Sequence, residues 1–148
     1  VKALIQRVSA ASVAVDDEII GKINQGWLVL LGVGRQDNGS EIQKLTEKIL
    51  GLRLFSDQGG KFNLSVQDIG GSILVVSQFT LYADVSRGRR PGFSDAAPSE
   101  IAKELYERFV EAMRATGIPV ATGSFGADMK ISLINNGPVT LMLDSTCI

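Results

Sequence analysis

Histidine is absent from the 148-residue chain. Without an imidazole no side chain ordinarily trades protons near neutral pH. Ser-His-Asp triads, Cys-His dyads and His-ligated zinc or iron sites therefore cannot be assembled within this chain. Cysteine is almost absent as well, Cys147 beside the C-terminus being the single thiol. One thiol excludes an intrachain disulfide, a CxxC redox pair and a thiolate zinc cage, and it suits a reducing, cytoplasmic setting. No metal and no cofactor is expected. Long apolar runs are also missing: Trp27 to Val33 is far too short to span a bilayer, and the N-terminus lacks the pattern of a signal peptide, so a soluble protein with no membrane contact is expected. Charge of one sign is scarce, since 15 Lys and Arg stand against 16 Asp and Glu for a net charge of -1, and aromatic residues make up only 6%. A chain so balanced does not bind polyanions over its whole surface, so any nucleic-acid contact needs a local patch.

Apolar residues are plentiful, at 45%, enough for one globular domain over residues 1–148 with a substantial core. Alternation in Lys2 to Val8 and Ser12 to Val15, an Asp16-Asp17 turn, and Glu18 to Ile23 read as short strands. Trp27 to Val33 is continuously apolar and reads as a central strand covered on both faces. Ser40 with Gln43 resembles a capping box, and Ile42, Leu45, Ile49 and Leu52 follow at helical spacing, which predicts a helix over Ser40 to Leu52. Arg53 to Phe55 and Phe62 to Val66 read as a small strand pair, and Ser72 to Leu81 as a long buried strand. A second helix is predicted from Ser99, its N-cap, with Ile101, Leu105 and Phe109 on the apolar face. Pro119 to Ala127 reads as irregular, and Met129 to Ile134 and Val139 to Leu143 as strands around an Asn135 to Pro138 turn. Two helices among about eight short strands predict an α+β domain of curved, stacked sheets with both helices on one side.

Three segments carry unusual chemistry. At the end of the long strand, Ser77, Gln78, Phe79 and Thr80 present in turn a hydroxyl, an amide, an aromatic face and a second hydroxyl. They suit a strand-end site with hydrogen bonds to a carbonyl, and equally a strand end that bonds its own backbone. Asn136-Gly137-Pro138 reads as a tight turn, yet a Gly-Pro bond is one of the few that takes the cis form readily, which would aim two carbonyls in one direction at a ligand's amino group. Arg87, Arg89 and Arg90, interleaved with Gly88, Pro91 and Gly92, form either a solvated loop or a positive loop for a nucleic-acid backbone, with Lys130 and Lys61 as possible additions. Arg7 lies inside an alternating strand, where its five donors either cover an edge or tether a carbonyl-rich loop.

Together these residues resemble the D-aminoacyl-tRNA deacylases, historically called D-Tyr-tRNA deacylases, over nearly the whole chain. The matching blocks are Gln6-Arg7-Val8, Leu28 to Gly32, Gly60 to Ser65, Ser77-Gln-Phe-Thr-Leu81, Arg90-Pro91 and Asn136-Gly-Pro-Val-Thr140. Ser-Gln-Phe-Thr and Gly-Pro-Val-Thr are the specific ones. The resemblance implies an enzyme that hydrolyses D-aminoacyl-tRNA, with Ser77, Gln78, Phe79 and Thr80 in its active site and glycyl-tRNA on the wrong tRNA as a second substrate. It further implies a homodimer with active sites at the subunit interface. Gly137-Pro138, cis in that family, would project from one subunit into the other's site, held by Arg7, and an L side chain would collide with it. Arg87, Arg89, Arg90 and Lys130 would face tRNA phosphates. Either Thr80 is the nucleophile or the tRNA's own 2'-hydroxyl helps activate water, and the missing imidazole favours the second. Two other readings remain open on sequence: a relative with a trans Gly-Pro bond and an L-directed role, and a non-catalytic nucleic-acid-binding module. Trp27 and Phe62 stand where the family suggests Leu and Met, and Asn136 where it often has an acidic residue.

Overall fold

Alternating apolar residues produce a single 14-residue strand, β1 (Lys2–Val15), instead of two pieces. The computed structural model, which describes all 148 residues, continues with β2 (Glu18–Ile23), β3 (Gly26–Gly32), α1 (Ile42–Gly51), β4 (Phe55–Ser56) and β5 (Phe62–Leu64). β6 (Ser72–Ser77), a 3-10 turn (Phe79–Tyr82), α2 (Ser99–Ala115), β7 (Val120–Thr122) and β8 (Lys130–Asp144) complete it. The main sheet runs β2-β1-β3-β6-β7, with β8 on the other edge of β1, and β4 and β5 form a separate pair. β3 and β6 are parallel neighbours, as are β6 and β7, and the remaining pairings are antiparallel.

β1 is too long for one flat layer. Its first half pairs with β3 and its second half with β2, while β8 follows it along the opposite edge. Strand twist accumulated over that length bends the sheet toward a barrel and creates two apolar interiors. Ala3, Ile5, Trp27, Val29, Leu31, Ile73 and Val75 face the buried stripes of both helices, including Leu45, Ile49, Leu105, Phe109 and Met113. Val8, Ala11, Val13, Ile23, Leu28, Leu74 and Val76 fill the second interior. The α+β class, the curved sheet and the placing of both helices on one side are as expected, and β3 is indeed buried on both faces.

Five local expectations need correction. The strand from Ser72 stops at Ser77: Gln78 N–H donates to the Leu31 carbonyl at 2.8 Å and the chain turns into the 3-10 segment, so tertiary contact overrides the strand preference of Phe79 to Tyr82. No hairpin forms at Asn135 to Pro138. Residues on both sides pair with β1 in the same antiparallel sense, so the chain cannot reverse there and instead bulges, with register shifts around Val8. Ser40 does not cap α1: Glu41 holds that position without a side-chain bond to the helix, while Gln43 bonds Glu47. Pro98, not Ser99, caps α2, its carbonyl accepting from Ala102 N–H at 2.9 Å. The segment read as irregular also contains β7.

Phe109 is fully buried beneath the sheet. Phe109→Ala is expected to cost about 3–5 kcal/mol, whereas Ser40→Ala should cost less than about 0.5 kcal/mol because no cap bond is lost. Urea unfolding of both variants measures the contrast, and a Ser40→Ala loss as large as a true cap's would contradict the assignment of Glu41.

Candidate active site

Parallel strands β3 and β6 end side by side, Leu31 paired with Ser77. Ligand sites favour the carboxyl ends of parallel strands, where the chain must leave the sheet and expose polar groups. Here the departing chain folds back over the end of β3. Gly32 and Gly34 make that possible: a Cβ on Gly32 would lie 2.9 Å from the Gln78 carbonyl oxygen, and one on Gly34 would enter the Tyr82 ring at 2.7 Å. Tyr82 OH then donates to Asp37 at 3.2 Å, fastening the turn.

Beyond these strand ends lies a cavity of about 490 Å³, mostly apolar, lined by Ser77, Gln78 and Phe79 with Val33, Tyr106 and Phe125 among its other walls. The Ser77 hydroxyl is half-buried and makes no hydrogen bond within the chain. Phe79 is 56% exposed at the rim, and its ring meets Phe93 edge-on at 5.0 Å. Thr80 follows on the turn, exposed and outside the lining; its Oγ1 accepts a hydrogen bond from the Gln78 side-chain amide. The N–H groups of Phe79 and Thr80 come ahead of the turn's bond from Leu81 N–H to the Gln78 carbonyl. Donors at this position of a turn are the ones its own carbonyls leave free.

Arg7 and Gly137 are brought together elsewhere. Arg7 is only 9% exposed, yet no carboxylate reaches it. Its charge is answered by carbonyls instead: Nε donates to Asn136 O at 2.8 Å and Nη1 donates to Leu54 O, with the Phe62 ring lying 5.0 Å from the guanidinium carbon. The planar fork of arginine suits such divided donation. Gly137 has φ +145°, a Cβ there would meet Val139 Cγ2 at 2.8 Å and Arg7 Nη2 at 3.1 Å, and its bond to Pro138 is cis. Both residues are exposed, and neither lines the cavity.

Within one chain the two halves of the expected site stand apart. Arg7 pairs with Trp27 at the start of β3, whereas Ser77 pairs with Leu31 four residues later, which is about 13 Å along the strands, with three strand spacings of about 4.8 Å between β8 and β6. The cationic residues are divided too. Arg87, Arg89 and Arg90 are exposed and form no ion pair, while Lys130 pairs with Asp17 at 3.3 Å. Asp84 at the root of the arginine loop is held below the usual carboxylate range by hydrogen bonds from the Ser86 hydroxyl and N–H.

This arrangement sits on a chain whose residues 4–144 match the family model of D-Tyr-tRNA(Tyr) deacylase. The chain belongs to the D-Tyr-tRNA(Tyr) deacylase family. It is 56% identical over 144 residues to the D-aminoacyl-tRNA deacylase of Thermosipho africanus, covering 97% of both chains. It is 54% identical over 145 residues to the corresponding protein of Clostridioides difficile, covering 98% of this chain and 97% of that one. A solved structure titled c-Myc DNA Unwinding Element Binding Protein superposes with a TM-score of 0.91 at 42% identity, over 97% of this chain and 98% of that one. A probable eukaryotic D-amino acid tRNA deacylase, at 17% identity, shares the fold with a TM-score of 0.82 over 96% of this chain and 97% of that one. Membership of the deacylase family makes this chain a hydrolase acting on ester bonds, the enzyme class expected from its sequence. No helix is long and apolar enough to cross a membrane.

The sequence reading missed several walls of this cavity, notably Tyr106, Phe125, Ala127 and Met129. Gly123-Ser-Phe-Gly-Ala127, an aromatic residue set among small ones between two strands, was the available signal. Tyr106 lies on the buried side of α2 with Leu105 and Phe109. Its hydroxyl donates to the Val75 carbonyl at 2.9 Å, and burial pushes its pKa up from 10.0 to about 12. The unfolded chain therefore ionises this phenol first as pH rises, so the stabilisation it contributes is complete below pH 10 and is lost between pH 10 and about 12. Tyr106→Phe should cost about 1 kcal/mol at neutral pH. Unfolding followed against pH should show that deficit shrinking above pH 10; a deficit constant to pH 11.5 would contradict the assignment.

Proposed function

We propose that this chain hydrolyses the ester bond of D-aminoacyl-tRNA, and of glycyl-tRNA, by positioning the substrate's own groups, and that it spares L-aminoacyl-tRNA by shape. The relatives' names supply the substrate class. The observation that carries the mechanism is the state of Thr80: its hydroxyl receives a hydrogen bond from the Gln78 amide, which cannot take a proton, and no carboxylate or lysine bonds it. A hydroxyl without a base is a poor nucleophile. Water instead adds to the ester carbonyl carbon, the carbon–oxygen bond to the ribose breaks, and the ribose oxygen leaves with a proton, giving free amino acid and tRNA. The 2'-hydroxyl of the terminal ribose orients that water. The Phe79 and Thr80 N–H groups receive the developing oxyanion, and the Ser77 hydroxyl, with the Gln78 amide, holds the ester in place.

Selection by shape needs a second copy. In one chain the Gly137-Pro138 bulge, midway along β8, and the Ser77 cavity stand four residues apart along the strands and three strands apart across the sheet, so in this reading the bulge meets a cavity only across a subunit interface. β8 supports that arrangement. Its outer edge is unpaired, and Leu133, Ile134 and Met142 on it are 36%, 62% and 51% exposed, an apolar strand edge of the kind that pairs or aggregates. Placed over the amino group of the ester, a rigid backbone wall excludes an L side chain, admits a D side chain on the other side, and passes glycine, which has no side chain to exclude. Arg87, Arg89, Arg90 and Lys130 face the tRNA phosphates. A second reading, nucleic-acid contact by the arginine loop without ester loss, has its support in the 42% identical structure named for a DNA element.

Incubation with D-aminoacyl-, L-aminoacyl- and glycyl-tRNA should release amino acid from the first and third and leave the second intact. Equal loss from D and L forms would falsify the chiral filter, and salt-dependent binding with no ester loss would favour the second reading. Thr80→Ala should keep hydrolysis within about threefold, whereas a folded variant about a thousandfold slower would make Thr80 the nucleophile. Sedimentation should find a dimer, and Ile134→Lys should yield a monomer with impaired hydrolysis; an active monomer sinks the cross-subunit model.

A further inference from the structure

Aromatic side chains are few, six Phe, two Tyr and one Trp, and most are at least half-buried. Phe62, Phe79 and Phe93 are the three exposed ones. Phe62 covers Arg7. The other two sit together, Phe79 at the cavity rim and Phe93, 38% exposed, against it at 5.0 Å and 64°. In that edge-to-face arrangement one ring braces the other without covering both of its faces.

Phe93 also occupies a fixed place in the chain. Asp84 and Gly92 exchange two backbone hydrogen bonds of 2.8 Å, pinching off the loop that carries Arg87, Arg89 and Arg90. Phe93 is the first residue beyond that pinch. The chain after it is fastened to the end of β3: Arg35 N–H donates to Asp95 O, Arg35 Nε to Ser94 O and Ala97 N–H to Val33 O, each within 3.0 Å. Ala96 and Ala97 then line the cavity. A rigidly held, exposed ring therefore lies between an uncompensated cationic loop and the cavity. Proteins that hold single-stranded nucleic acid combine those two elements, a cationic track for the phosphates and aromatic faces for successive bases.

Resting on the proposed tRNA reading, in which the cavity takes the terminal adenosine ester, we infer that Phe93 stacks on the penultimate base of the single-stranded 3' end while the arginine loop holds the adjoining phosphate. The enzyme then recognises the last two nucleotides by stacking rather than the ester alone. Stacking is tolerant of base identity, so this contact selects for a flexible single strand rather than for one sequence.

Two small substrates isolate the contact: a D-aminoacyl ester of adenosine, and the same ester on a cytidylyl-adenosine dinucleotide. The wild type should show a higher kcat/KM on the dinucleotide by about 5- to 150-fold, the range of one stacked base. Phe93→Leu should abolish that ratio and Phe93→Trp should keep it. A ratio preserved in Phe93→Leu overturns the inference, as does an equal loss on both substrates, which would make Phe93 a mere brace for Phe79. Should the wild type hydrolyse neither ester, the functional reading fails separately. An uncharged acceptor-stem hairpin with 2-aminopurine at the penultimate position then decides: quenching by the wild type that is lost in Phe93→Leu supports the stacking contact, and equal or absent quenching overturns it.

Discussion

Everything in this molecule hangs on the double pairing of β1. One edge of that strand bonds first β3 and then β2, and the other edge follows β8 from end to end. A strand held on both edges over 14 residues cannot relieve its twist by fraying, so the sheet curls and encloses a second interior. The helices then need to cover only one face. The same constraint makes the Gly137-Pro138 bulge. β8 carries more residues than β1 can match near Val8, and the surplus is displaced to the surface over Arg7, whose buried guanidinium is satisfied by the Asn136 carbonyl.

A chain without histidine has to make a hydrolytic site from weaker materials, and the proposed site gathers them at the ends of β3 and β6. Backbone donors, a free serine hydroxyl and an amide converge where two parallel strands end, beside a cavity whose walls are largely apolar. Apolar walls strengthen each polar contact by excluding water. An aminoacyl ester is reactive enough for positioning to matter more than a strong base. The proposed selection against the wrong enantiomer by a backbone wall suits the same economy, because no pocket has to fit each side chain.

The near-zero net charge conceals an uneven distribution. Lys130 has its charge answered by Asp17 at an exposed turn, where such pairs contribute little to stability. The arginines of the 87–90 loop have no acidic partner, and the loop is closed at its root by the Asp84 and Gly92 backbone pair. Charge left uncompensated on a loop anchored beside a cavity is available to a polyanionic substrate, whose binding should weaken with salt.

Much of this was legible in one dimension. Continuous apolar residues marked β3 as central, the 3.6-residue stripes marked both helices, and the Ser77 to Phe79 run marked the cavity wall, because periodicity and side-chain type act locally. Other features were not. The strand preference of Phe79 to Tyr82 is real, but Gln78 is captured by Leu31, so the turn exists only where β3 lies. Asn135 to Pro138 has the composition of a hairpin, and only a single partner strand running past both flanks prevents reversal. Tyr106 carries no mark in its helical stripe that distinguishes a cavity wall from ordinary core. By itself, then, the sequence determined the α+β class, the absence of imidazole chemistry and the polar run at the end of β6. Tertiary structure decided where the strand breaks, which ring meets which, and that the Gly137-Pro138 bulge and the Ser77 cavity stand apart in one sheet. Those outcomes depend on pairing between residues far apart in the chain, which no local pattern encodes.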